Sequence, residues 1–117
     1  MWGHTEEELI SNAVLAAMTL SLGTLPGPAP SRRAAIRPRP NDLTSRLVRA
    51  VNEALYLLYA RREVAVRCER TRRGAALVLA PLPAGVAPRL EIKAATYHDL
   101  RPIRRGGRLR AILTLDV

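Results

Sequence analysis

Lys93, Tyr97, His98 and Asp99 fall within seven residues of one another, in the stretch EIKAATYHDL. An amine, a phenol, an imidazole and a carboxylate are the groups that carry acid–base and nucleophilic chemistry. Asp116 adds a carboxylate near the C-terminus, and His4, Cys68 and the run Glu6-Glu7-Glu8 are the other groups worth weighing. No glycine-rich phosphate loop or Cys/His metal spacing accompanies them. A hydrolase or transferase built on Lys93, His98 and Asp116 would lack a nucleophile with its own base. Lys93 and Asp116 each fall on the polar side of an alternating run. If their strands are neighbours, the pair reads either as a surface ion pair worth ~0–1 kcal/mol or as a contact site for a metal, a phosphate or a partner. Alternation alone favours the ion pair. His98 is placed to hold a turn through a backbone hydrogen bond, and Tyr97 could stack on a nucleobase. With one tryptophan, three tyrosines and no phenylalanine, a multi-aromatic RNA platform is not expected. His4 reads as solvated and Cys68 as a buried thiol.

These groups must be positioned by the elements around them. Thr5 is a helix cap, with Glu8 three residues on in the reciprocal position of a capping box. Three glutamates suit the positive end of the helix dipole. Leu9, Ala13, Ala16, Ala17 and Leu20 then recur at helical spacing, and Gly23 ends the helix. Residues 24–31 are a proline-rich connector that can be neither helix nor central strand. A short strand follows in RRAAIRP. Asn41 or Asp42 caps a second helix, with Leu47, Val51, Leu55 and Leu58 as its buried stripe and Arg49–Glu53 as an outward pair.

The remainder reads as strands. Val64, Val66 and Cys68 alternate with Ala65, Arg67 and Glu69, and AALVLAP is a more fully buried run. In RLEIKAATY, Leu90, Ile92 and Ala94 share one face, with Glu91, Lys93, Ala95 and Tyr97 on the other. Gly106-Gly107 joins a hairpin, because glycine tolerates the positive φ of a tight turn. Beyond it, Leu109, Ala111, Leu113 and Leu115 point inward, away from Arg108, Arg110, Ile112, Thr114 and Asp116. The expected fold is α+β: two helices covering one face of a largely antiparallel sheet.

At 117 residues the chain is expected to form one domain spanning residues 1–117, able to bury roughly two-thirds of its unfolded surface. Its single cysteine cannot form an internal disulfide, which suits a reducing cytoplasm. No signal peptide or membrane-spanning segment is read, because the apolar run after the glutamates falls short of the ~20 residues a bilayer requires. The net charge of +9 is lopsided, at +1 over residues 1–58 and +8 over residues 59–117. Arginine supplies eighteen of the nineteen basic residues. A basic half of this kind could contact RNA phosphates or an acidic protein face.

Taken in order, WGHTEEELISNAVLAAM, LVRAVNEALYL, EIKAATYHDL and the terminal LRAILTLDV resemble the archease family. The KAATYHDL piece is the most specific part, and the match runs over nearly the whole chain. The resemblance implies an archease-like fold and an accessory protein rather than an enzyme. Archeases promote guanylylation and multiple turnover of the RtcB-type RNA ligase of tRNA splicing and RNA repair, and some are linked to chaperoning a tRNA methyltransferase. It further implies a divalent cation of the calcium type, with Asp116 as the metal ligand this chain offers. Lys93, Tyr97 and His98 would then belong to the working or partner-binding surface.

The chain departs from the family in three ways. The usual N-terminal strand carrying D-H-T-A-D lies upstream of the matched part, and two metal-binding acids with it. Arg49 and Ala50 stand where the family has an acid and an aromatic, and the charge is strongly basic. The expectation is therefore either a true start upstream of Met1 or a gap filled by another chain, as in a homo-oligomer. The expected partner is the ligase, with tRNA or RNA reached through it or directly by the basic half. The alternatives are a small basic RNA-binding module and a divergent archease-fold protein that has lost metal binding.

Overall fold

The computed structural model describes residues 1–23, 29–36, 42–72, 74–96 and 103–117. In chain order the elements are β1 (Trp2–Gly3), α1 (Glu6–Leu22), β2 (Arg32–Ile36), α2 (Leu43–Arg61), β3 (Glu63–Thr71), β4 (Gly74–Pro81), β5 (Ala94–Thr96), β6 (Ile103–Arg105), β7 (Arg108–Arg110) and β8 (Thr114–Asp116). The fold is α+β, as expected, and every strand pairing is antiparallel.

Both helices start on the caps that the sequence marks. The Thr5 hydroxyl accepts from the Glu8 N–H at 3.1 Å, and the Asp42 carboxylate accepts from the Ser45 N–H at 3.0 Å. The reciprocal half of the first box is absent, because the Glu8 carboxylate turns instead to His4 Nδ1 at 3.2 Å. Gly23, at φ 86, closes α1 through a bond from its N–H to the Thr19 carbonyl. A left-handed φ of this kind is one that glycine adopts without a Cβ penalty.

The buried stripe of α2 contains Leu47, Val51, Leu55 and Leu58, as the 3.6-residue period requires. That of α1 differs from the expectation. Leu9, Ala13, Ala17 and Ser21, with Ile10, Val14, Met18 and Leu22, are the buried rows, whereas Leu20 is 55% exposed. Rows spaced by four residues wind about 40° around a helix at each step, since successive residues turn by about 100°. The contact therefore rotates off the direction of Leu20 by the last turn. Each large apolar side chain so buried contributes roughly 1.5–3 kcal/mol. Leu9, Met18, Leu47, Val51, Leu58, Val64, Leu77 and Leu79 form the centre of this core.

Among the described residues the strands form three sheets where the sequence suggested one: β2-β4-β3, β1-β7-β6 and β5-β8. In β3 the register slips between Ala65 and Arg67, so both Val64 and Ala65 are buried and Val66 falls out of the simple alternation. One extra residue in a bulge shifts the facing of everything beyond it. Among the described residues of the expected RLEIKAATY strand, only Ala94–Thr96 lies in a ladder. Its facing also differs: Ile92 and Ala95 are buried and Leu90 is 42% exposed. The β6–β7 hairpin forms as expected, with both Gly106 and Gly107 at positive φ. Along the terminal stretch Leu109 and Ala111 are buried and Leu113 and Leu115 half-buried, in the expected alternation. No helix among the described residues is long and apolar enough to cross a membrane.

Candidate functional site

Lys93 and Asp116 come to adjacent strands. Ala94 pairs with Asp116, Ala95 with Leu115 and Thr96 with Thr114. The Lys93 N–H donates to the Asp116 carbonyl at 2.7 Å. Directly opposed residues of an antiparallel pair share a face, so Ala94, Thr96, Thr114 and Asp116 make one face and Ala95 and Leu115 the inner one. Both Lys93 and Asp116 are exposed, yet no ion pair joins them among the described residues. Asp116 opposes Ala94, one residue away from Lys93, and a one-residue offset turns a side chain to the other face. Tyr97 and His98, with Asp99, lie outside the described residues.

The helices hold this small ladder in place with polar side chains. On α2, Asn52 accepts the Ala95 N–H through Oδ1 at 2.6 Å and donates Nδ2 to the Ala95 carbonyl at 3.1 Å. Its amide thus occupies the edge of β5 as a third strand would. Tyr59 and Ser21 form a second anchor. The Tyr59 hydroxyl accepts the Ile92 N–H at 2.8 Å, lies 2.6 Å from Ser21 Oγ, and reaches the Leu90 carbonyl at 3.1 Å. Ser21 Oγ donates to the same carbonyl at 2.8 Å, and the Ser21 carbonyl accepts the N–H groups of Arg89 and Leu90. Arg89, Leu90 and Ile92 therefore satisfy backbone groups against the Ser21 carbonyl and the Ser21 and Tyr59 hydroxyls of the two helices. This is why they do not join a sheet, and why the facing of the chain changes just before Ala94.

Sequence reasoning missed these anchors. The available signal was a buried serine and a half-buried tyrosine late in two apolar faces, since a buried polar group is retained only when hydrogen-bonded. An open groove of about 890 Å³ runs beside the ladder, lined among others by Arg49, Asn52, Glu53, Tyr56 and Thr96.

The other candidate residues have structural roles or stand alone. Cys68 is buried, and its thiol is pushed up to about 11 by burial and then by the Glu69 and Glu7 charges. Its backbone N–H and carbonyl both bond Ser11 Oγ, at 2.7 and 2.8 Å. His4 is exposed beside Glu8. The remaining acids of the first helix, Glu6 and Glu7, and those of β3 are taken up by arginines. Glu6 meets Arg46 and Glu7 meets Arg70. Glu63 accepts a two-pronged hydrogen bond from Arg32, which holds its carboxyl below the usual range. Glu69 is held low by Arg33 and then Arg67.

A divalent cation of the calcium type needs six to eight oxygen ligands. Among the described residues no three His, Cys, Asp or Glu side chains gather, and Asp116 offers one exposed carboxylate. The described residues therefore do not fit such an ion.

The Archease protein family (MTH1598/TM1083) matches residues 1–117. Among solved structures, the crystal structure of an archease from Thermotoga maritima, described as a possible chaperone, superimposes with a TM-score of 0.68 at 20% identity. That match covers 100% of this chain and 87% of the other. The solution structure of protein 1598 from Methanobacterium thermoautotrophicum superimposes with a TM-score of 0.66 at 26% identity, over 99% of this chain and 88% of the other. Among curated proteins none matches. From its match along every residue, and from a fold shared with both structures, this chain is a member of the archease family.

Proposed function

We propose that this chain is an accessory protein of an RtcB-type RNA ligase, promoting the ligase's guanylylation and so its repeated turnover in tRNA splicing or RNA repair. The observation that carries this reading is membership of the archease family along the whole chain. The β5–β8 ladder supports it by holding Lys93 and Asp116, both exposed, on neighbouring backbone segments joined by the bond from the Lys93 N–H to the Asp116 carbonyl. Groups that must meet a partner in one geometry are best placed on elements whose own hydrogen bonds are satisfied, and Asn52 and Tyr59 supply that backing here.

On this reading Lys93 and Asp116 serve the working surface, and Tyr97 and His98 are assigned to it by the family resemblance alone. Lys93 contributes an exposed cation and Asp116 an exposed anion, at fixed separation along paired strands, for complementary charges on the ligase.

The test is RNA ligation with a catalytic amount of RtcB-type ligase, GTP and manganese, with and without this chain. Stimulation beyond a single turnover is expected, reduced by Lys93→Ala and by Asp116→Ala at unchanged melting temperature. No stimulation at any ratio of the two proteins would sink the reading.

A further inference from the structure

We propose that the outer face of the β6–β7 hairpin, with Trp2, is a contact site for single-stranded nucleic acid. The register places five side chains together. Trp2 pairs with Arg110, Arg110 with Ile103, and Arg108 with Arg105. Opposed residues share a face, as do residues two apart on one strand. Trp2, Ile103, Arg105, Arg108 and Arg110 therefore form one continuous surface. Leu109, on the reverse side, is buried. All five are exposed, Trp2 by 45% and Ile103 by 56%. The Arg110 guanidinium lies 5.3 Å from the centre of the Trp2 ring, and Trp2, Ile103, Arg105 and Arg110 line a shallow recess of about 90 Å³.

Nothing within the described fold neutralises these arginines. Residues 100–115 contain no acid, and no ion pair reaches Arg104, Arg105, Arg108 or Arg110 among the described residues. Elsewhere the arrangement is the opposite, with Arg32, Arg33, Arg46, Arg67 and Arg70 each matched to a glutamate. Arg105 opposite Arg108 is a like-charge cross-strand pair, which disfavours the hairpin in isolation. An anionic ligand would relieve that repulsion.

The aromatic component selects the kind of anion. A half-exposed indole with the Arg110 guanidinium against its ring and Arg105 lining the same recess offers a stacking surface for a base and donors for the phosphates beside it, which is how single strands are held without sequence preference. An acidic protein segment would use the arginines and leave the ring idle. The regular duplex keeps its bases stacked away from such a ring.

This inference stands apart from the ligase reading, since its test contains no ligase. Trp2 is the only tryptophan, so its fluorescence reports on this face alone. The full chain is titrated with a twelve-residue oligouridylate, with oligothymidylate, a twelve-base-pair duplex and poly-glutamate in parallel, at several salt concentrations. Expected is quenching of Trp2 by both oligonucleotides, with affinity falling as salt rises. The Arg105→Glu/Arg108→Glu double variant should weaken binding about tenfold or more, and reduce the salt slope by roughly 1.4, the share of two phosphate contacts on a single strand. Trp2→Leu, followed by anisotropy of a labelled oligonucleotide, should weaken binding while leaving the salt slope nearly unchanged. Equal binding of the two oligonucleotides supports the site, because only base and phosphate are invoked. The proposal is overturned if no oligonucleotide binds, if the double variant binds as well as the parent, or if poly-glutamate or a duplex of the same length binds as tightly.

Discussion

Replacing Tyr59 with phenylalanine removes one oxygen and leaves the ring in place, so its consequence can be worked from the hydrogen bonds. In the parent, the Tyr59 hydroxyl accepts the Ile92 N–H at 2.8 Å and shares the Leu90 carbonyl with Ser21. Without it, Ser21 Oγ can still donate to Leu90. The Ile92 N–H loses its acceptor in a residue that is 1% exposed. A buried donor left without a partner costs ~1–3 kcal/mol, and we take ~2. An unfolding entropy of about 2.1 cal/mol/K per residue gives roughly 0.25 kcal/mol/K for 117 residues, so the melting temperature should fall by about 8 °C.

The assay is a thermal melt followed by circular dichroism, with amide hydrogen exchange at Ile92 as a local readout. Tyr56→Phe is the control on the same helix. Tyr56 is 54% exposed, and a surface change of this kind is expected to stay within about 0.5 kcal/mol, or ~2 °C. A Tyr59→Phe melt within 1 °C of the parent, with Ile92 still protected from exchange, would refute the claim that this hydroxyl anchors residues 89–92.

Three further outcomes follow from the same geometry. A Cβ on Gly3 would sit 2.4 Å from the Leu9 N and 2.7 Å from its Cα, both backbone atoms of α1. Gly3→Ala should therefore push the helix off β1 and cost about 1–3 kcal/mol, read as a lower urea midpoint. With the Cys68 thiol pushed up to about 11 against an ordinary 9.0, the thiolate fraction at pH 8 is about a hundredfold lower than in the unfolded chain. Alkylation at pH 8 should be correspondingly slow in the native protein and fast in urea. The carboxyls of Glu63, Glu69 and Asp42 are held low by Arg32, by Arg33 with Arg67, and by the Ser45 N–H respectively. A carboxyl depressed in the folded state contributes stability above its unfolded pKa and loses it as pH falls through the folded one. Melting temperature should thus hold from pH 7 to 5 and decline below about 4.5, less steeply in high salt for the exposed arginine pairs.

Local chemistry was legible wherever a residue acts on its own neighbours. Thr5, Asp42 and Gly23 marked helix ends because caps are satisfied within three or four residues, and the 3.6-residue period in Leu47, Val51, Leu55 and Leu58 named a buried face. Gly106-Gly107 announced a tight turn by its need for positive φ. The fragments WGHTEEELISNAVLAAM and KAATYHDL pointed to the archease family, and family membership holds across the chain. The adjacency that a Lys93–Asp116 surface requires was only conditional in the sequence, since alternation describes one strand and says nothing about its neighbour.

What the sequence by itself determined, then, was the type of each long element, where the helices are capped, and, for α2, which face it buries. The hydrophobic period of α2 extends over enough residues to name that face without ambiguity. Tertiary structure decided the rest. It divided the strands among three sheets, rotated the α1 contact away from Leu20, and inserted the register slip beside Val66. It also set Ser11, Ser21, Asn52 and Tyr59 against backbone groups between 31 and 69 residues away. Strands of three residues carry too little pattern to specify a partner. Their places are settled by which backbone donors and acceptors remain unpaired once the long elements have packed. That requirement is non-local, and it is what brings Lys93 beside Asp116 and Trp2 beside Arg110.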